Sequence, residues 1–244
     1  MFNKKEIRDL IISILVLSFV FGFNDGRKEF VGSLWLSNFL KITLFVIISV
    51  LFREAVIKLY AKRNNAESEY KIWNVKRVFF GKYGNLKFPF PFGIIFSFIG
   101  IIVSQGKFFF TAIGIHDIKE NKSARTGRKY IFIKDFEVAL IALSGIFANL
   151  LIVYIAFFAS KYFGINLNFL INMNLLLILF NLIPISALDG TKIFFGSRLL
   201  WVFTCLFLIS SYIFLSIGIL FSIIGAAILA FSIMAWYYYQ YEYS

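Results

Sequence analysis

Apolar runs long enough to cross a lipid bilayer alternate along this chain with short basic segments. A spanning helix needs about 20 predominantly apolar residues. Residues 138–162 and 167–185 meet that requirement. Residues 199–236 are long enough for two spans, with a tight turn near Ser216, Ile217 and Gly218. Residues 34–52 predict another span, continued as helix to about Ala61, and Lys41 near its start can extend its ammonium outwards. Residues 10–23, preceded by Lys4, Lys5 and Arg8, read as an uncleaved first helix, because no small-x-small cleavage site follows them.

Residues 92–115 break this pattern. The apolar run 92–104 is short, Gln105, Gly106 and Lys107 interrupt it, and a second run covers 108–115. Basic segments at 58–87 and 119–134 flank the region. A single crossing would put them on opposite sides, against the tendency of Lys and Arg to collect on the cytoplasmic face. A re-entrant hairpin keeps both in the cytoplasm, provided its loop packs against protein or water. Polar residues 120–128, between apolar runs 108–118 and 130–133, predict a small β-hairpin at the surface. The expected fold is an all-α polytopic membrane protein, a single integral membrane domain over 1–244. It has about six or seven transmembrane helices, a re-entrant segment and a small β-hairpin. The expected location is the cell membrane, multi-pass, with basic loops in the cytoplasm.

Composition sharpens this reading. Sixty per cent of the 244 residues are hydrophobic, with 33 Phe and only 3 Pro, which excludes disordered and collagen-like chains. A net charge of +12 in so apolar a chain points to a cytoplasmic membrane face and the lipid bilayer, not to nucleic acid. The single cysteine, Cys205, excludes a disulfide framework and reads as helix packing. The single histidine, His116, excludes any site needing two histidines and is assigned to a loop. Residues 236–239 read as an interfacial aromatic belt.

Three segments carry a resemblance. Phe52-Arg53-Glu54-Ala55-Val56-Ile57-Lys58 ends the second helix. Ser144-Gly145-Ile146-Phe147-Ala148-Asn149-Leu150 lies in the next long span. Asn181-Leu182-Ile183-Pro184-Ile185-Ser186-Ala187-Leu188-Asp189-Gly190 follows the span after that. Together they resemble the site-2 protease family of intramembrane zinc metalloproteases. The family reads His-Glu-x-x-His at the first segment, Gly-Pro-x-Ala-Asn-Leu at the second and Asn-x-x-Pro-x-x-x-Leu-Asp-Gly at the third. Order and spacing agree across residues 34–195, the site-2 protease-like core. The third motif is the most specific.

The resemblance implies a site at Glu54, the general-base position, with metal-ligand positions Arg53, Ile57 and Asp189. It also implies a departure. Catalytic zinc needs three protein ligands and an open position for water. Arginine offers no lone pair and isoleucine no ligand atom, so only Glu54 and Asp189 remain of the family's set. The expectation is a metal-free site. The zinc charge could be replaced by Arg53 and Lys58, set against Glu54 and Asp189. Glu54 and Lys58 stand at i and i+4, a favourable helix pair, and Arg53 could fork onto Asp189. Alternatively, Arg53 and Lys58 extend to the cytoplasmic headgroups without pairing. Asn149 and Asn181 are cleft residues by resemblance; the plain alternative is hydrogen bonding between helices.

Three functions follow as expectations. The first is a pseudoprotease that binds transmembrane or membrane-associated client segments, holding them in extended form along the re-entrant strand. The second is an active intramembrane metalloprotease with an atypical or partner-completed metal site. The third is a small transporter, since intramembrane charges also mark ion paths, although no inverted repeat is visible.

Overall fold

The computed structural model of the chain describes residues 2–24, 26–27, 29–77, 85–121 and 132–243. The element order is α1 (Lys4–Gly22), α2 (Gly32–Arg63), β1 (Ala66–Ile72), β2 (Val75–Arg77), β3 (Asn85–Phe90), α3 (Phe92–Val103), β4 (Gly114–Glu120), α4 (Asp135–Phe163), α5 (Asn168–Leu182), α6 (Asp189–Gly196), α7 (Arg198–Leu215) and α8 (Ile219–Tyr243). The chain is mostly helical, as the apolar runs predict. Among the described residues, three helices, α4, α7 and α8, are each long and apolar enough to cross a membrane. That is fewer than the expected spans. Helices α3 and α5 are apolar but have only 12 and 15 residues. The first turns of α1 carry Lys4, Lys5, Glu6, Arg8 and Asp9.

Helix α4 is the centre of the bundle, packing against α2, α5 and α6. Ala139, Ile141, Ala142, Ile146, Ala148 and Val153 are all buried, so α4 is enclosed on several sides. The outer helices turn apolar stripes outwards. Ile7, Ile11 and Leu15 recur at four-residue steps on α1, and Leu36, Leu40, Leu44 and Ile48 on α2. Exposed aliphatic stripes of this length mark a surface that meets a membrane or another protein. Inside the bundle, helices are tied by polar side chains. Asn174 donates to Ser49 at 3.0 Å, joining α5 to α2. The Tyr154 and Ser211 hydroxyls lie 2.5 Å apart, and Ser222 donates to the Ser211 carbonyl at 2.7 Å. Such interhelical bonds contribute about 0.6 kcal/mol each.

The segment between β3 and β4 is a hairpin. It leaves and returns at one place, Trp73, whose carbonyl accepts from Gly93 N and whose N–H donates to the Ile113 carbonyl. At about 1.5 Å per residue, the 12 residues of α3 are too short to cross the hydrocarbon core. The returning strand lies against Gly93, where a Cβ would meet the Ile113 carbonyl oxygen at 2.5 Å. Ser97 ties the two limbs, donating from its hydroxyl toward Phe110 O at 3.0 Å.

Among the described residues, the first strand of the expected β-hairpin has a partner from elsewhere in the chain. β4 pairs antiparallel with β1, with Tyr70 opposite His116 and Lys71 opposite Ile115. The turn and most of the second strand expected over 120–133 lie outside the described residues. The sheet is amphipathic. Ser68, Tyr70, Ile72, Gly114 and His116 are buried, whereas Glu69, Lys71, Asp117 and Lys119 form ion pairs of 2.6–2.9 Å on the other face. The outer edge of β1 is occupied by side chains of helices. Tyr70 N donates to Glu6 at 3.0 Å and Ile72 N to Asp9 at 3.4 Å, while Lys58 donates to the Ser68 carbonyl at 3.0 Å.

Candidate functional site

The last third of α2 presents Ser49, Arg53, Glu54 and Ile57 to the protein interior. Glu54 is 1% exposed and Arg53 8%. Helix α4 comes close here because position 145 is glycine: a Cβ would meet Ile57 Cδ1 at 2.5 Å and Arg53 Nε at 3.2 Å. After α5 the chain extends through Ile183 and Pro184, passes Ser186 at φ 55°, and starts α6 at Asp189. A carboxylate in the first turn of a helix is favoured by the helix dipole. The three segments singled out in the sequence therefore converge.

Arg53 and Asp189 pair, with Arg53 Nη2 at 2.5 Å from Asp189 Oδ2. The imidazole of His116 lies between the two carboxylates. Its Nε2 is 2.9 Å from Glu54 Oε1, and its Nδ1 is 3.1 Å from Asp189 Oδ1. Lys192 adds a third cation to Asp189 at 3.0 Å and also donates to the Ala187 carbonyl at 2.9 Å. The ring of Tyr70 meets His116 edge-on, with centroids 5.6 Å apart.

With both carboxylates ionised, this geometry favours the charged form of His116. A neutral imidazole has one N–H and one bare nitrogen. Here both nitrogens face carboxylate oxygens, so both hydrogen bonds form only in the imidazolium. Burial works against protonation, but the Glu54 and Asp189 carboxylates outweigh it and hold the His116 pKa above its ordinary value. Burial likewise opposes ionisation of Asp189, yet His116, Lys192 and Arg53 hold its carboxyl well below the usual range. The cluster thus contains three cations and two carboxylates.

Several expectations change. Lys58 does not pair with Glu54. It reaches Glu6 at 2.8 Å, because the outer edge of β1 and the first turn of α1 lie on its side of α2. His116 is not a loop residue. It sits on β4, 3% exposed, at the centre of the cluster. Of the two asparagines, Asn181 donates to Leu177 O within its own helix at 2.7 Å. Asn149, one turn beyond Gly145, is 1% exposed, and neither polar atom of its amide has a hydrogen bond among the described residues. The bond between helices considered for Asn149 is therefore absent there.

The residues present do not fit zinc. Ile57 beside the cluster has no donor atom, and Arg53 points a cation at Asp189. The two imidazole nitrogens face opposite carboxylates and cannot share one tetrahedral ion with them. No group of three metal-ligating side chains is arranged to hold an ion among the described residues. A small cavity of about 10 Å³ lies beside Arg53, Glu54, Tyr70 and Asn181. It has room for about one water molecule. A larger apolar cleft of about 270 Å³ opens near Asp189, lined by Trp73, Phe92, Phe96, Phe110, Phe180 and Leu188.

Two features were legible in principle but not read. Residues 66–72 alternate Ala, Ser, Tyr and Ile with Glu and Lys, a period-two signal for a half-buried strand. Glu6 and Asp9 are two carboxylates in the first turns of an apolar helix, where intramembrane charges call for partners. No protein-family model matches the chain, and no curated protein or solved structure is significantly similar to it.

Proposed function

We propose that this chain is a catalytically inactive relative of the site-2 proteases, which binds membrane-protein client segments without cutting them. The observation that carries the reading is the convergence of its three motif segments on one buried ion cluster. In the family, Zn²⁺ sets two positive charges against a glutamate and an aspartate. Here Arg53, His116 and Lys192 supply three positive charges to Glu54 and Asp189, one more than the metal would. Buried charges persist when each has a partner, and this arrangement provides them without a metal. The cluster has no open coordination position and no group free to act as a base on a metal-bound water. Glu54 is engaged by His116.

Client binding rests on the elements beside the cluster. Side chains from α1 and α2 occupy the outer edge of β1, so an extended client would add to β4. The aromatic cleft next to Asp189 suits a large apolar side chain of that client. In this reading the polypeptide crosses the membrane six or seven times (about 20 residues per crossing) with its basic loops in the cytoplasm. The short α5 and the charged ends of α1 and α2 then span only as part of the bundle.

The test is photocrosslinking in native membranes from Phe96, on the cleft, and from Phe231, an exposed residue of α8. The reading expects Phe96 to capture intact membrane segments of other proteins, and Phe231 not to. Capture of the same partners from both positions, or recovery of cleaved partners, would contradict it.

A further inference from the structure

A groove between α1 and α2 lies away from the ion cluster. Its volume is about 400 Å³, and Phe2, Ile7, Ile11, Leu15, Ile47 and Leu51 line it. The hydroxyl of Thr43, also in its wall, is spent on the Phe39 carbonyl at 2.8 Å. One end of the groove is cationic. Lys4 and Lys5 are exposed in the first turn of α1, and Lys4 stands one turn before Ile7 on the lining stripe. Lys58 Nζ lies 4.5 Å from the centroid of the Phe2 ring. The acidic residues of the same turns do not compete. Glu6 and Asp9 are buried, at 2% and 8% exposure, bonded to β1 and paired with Lys58 and Arg8, so among the described residues neither is spent on Lys4 or Lys5.

We propose that this groove is a binding site for one anionic phospholipid, with an acyl chain in the groove and the phosphate at Lys4 and Lys5. Any lipid can cover an apolar face, but an apolar groove with the exposed Lys4 and Lys5 beside its Phe2 end favours a negative headgroup. Basic pockets beside membrane helices bind acidic lipids in this way, each lysine contributing about fivefold in affinity. The inference is independent of the client-binding reading.

The full chain in detergent, mixed with phosphatidylglycerol or with phosphatidylcholine of the same acyl chains, provides the test. Native mass spectrometry should find phosphatidylglycerol retained in preference to phosphatidylcholine by about 25-fold, two lysines at about fivefold each. K4Q/K5Q should abolish that preference, and these exposed substitutions leave the packed helices intact. Ile47→Trp, which fills the groove, should remove the retained lipid. Equal retention of both lipids, or an undiminished preference in K4Q/K5Q, would overturn the proposal. So would a dimer that persists in phosphatidylglycerol without bound lipid, which would assign the groove to a second copy.

Discussion

Breaking the Arg53–Asp189 pair from one side should cost far more than removing it whole. The carboxylate is 1% exposed and the guanidinium side chain 9%, so solvent screens neither. Asp189→Leu leaves Arg53 and Lys192 without their carboxylate and strips His116 of one of its two acceptors. Removing one partner of a buried pair costs about 3–5 kcal/mol. Arg53→Leu leaves Asp189 with His116 and Lys192, so its cost should fall at the low end of that range. In the double variant Glu54 still holds His116, and Lys192 keeps the Ala187 carbonyl. Apolar replacement of a whole pair is often near neutral, so the double variant should be less destabilised than Asp189→Leu alone. The coupling energy should then reach about 3 kcal/mol, the upper part of the range for residues in direct contact. Reversible unfolding of the four proteins in detergent micelles, by thermal or denaturing-detergent titration, measures it. Additive losses would refute the reasoning and leave Arg53 as a cation reaching for the headgroups.

The stabilisation from His116 should depend on pH in one direction. Its folded pKa is raised, so its contribution is complete below the unfolded value of about 6.5 and is lost as pH rises through the folded value. His116→Gln should therefore cost more at pH 6 than at high pH, and unfolding midpoints measured across that range would show it; a cost independent of pH would count against the imidazolium. On the sheet's outer face, Asp117→Asn should change stability by less than about 1 kcal/mol, because Lys71 and Asp117 are both more than a third exposed. A loss of several kcal/mol in the same assay would show that the surface network matters more than exposure allows. Gly145→Ala should cost about 1–3 kcal/mol by overpacking against Ile57, and Ile57→Val should recover part of it. Failure of that rescue would place the clash on Arg53 Nε instead.

Much of the helical framework was legible because lipid imposes a simple rule on sequence. α2, α4, α7 and α8 fall where their apolar runs predict, and the α7–α8 break falls at Ser216 to Gly218. The Arg53–Asp189 pairing was expected because the resemblance set both positions in one site, and the cost of two unpaired charges in apolar surroundings added to that expectation. His116 was not, because only strand pairing brings it to the site. Nothing local to Gly114-Ile115-His116 says that β4 will lie beside β1, more than forty residues earlier in the chain. Lys58 was misassigned for a related reason. Helix periodicity offered Glu54 at i−4, whereas tertiary packing offered Glu6, which needed a cation and held it. The short α6 was also missed. Its eight residues are too few for a periodic signal, and its start is set by Asp189 and the extended approach to it.

The central claim is that a protonated imidazole stands between Glu54 and Asp189. The chain contains one histidine, so ¹⁵N labelling of histidine reports His116 alone. The nitrogen NMR spectrum of the full chain in detergent should show both ring nitrogens protonated, and they should stay so at a pH above the ordinary histidine value of about 6.5. A neutral ring that titrates near that value, or a nitrogen shifted by a bound metal, would contradict the account.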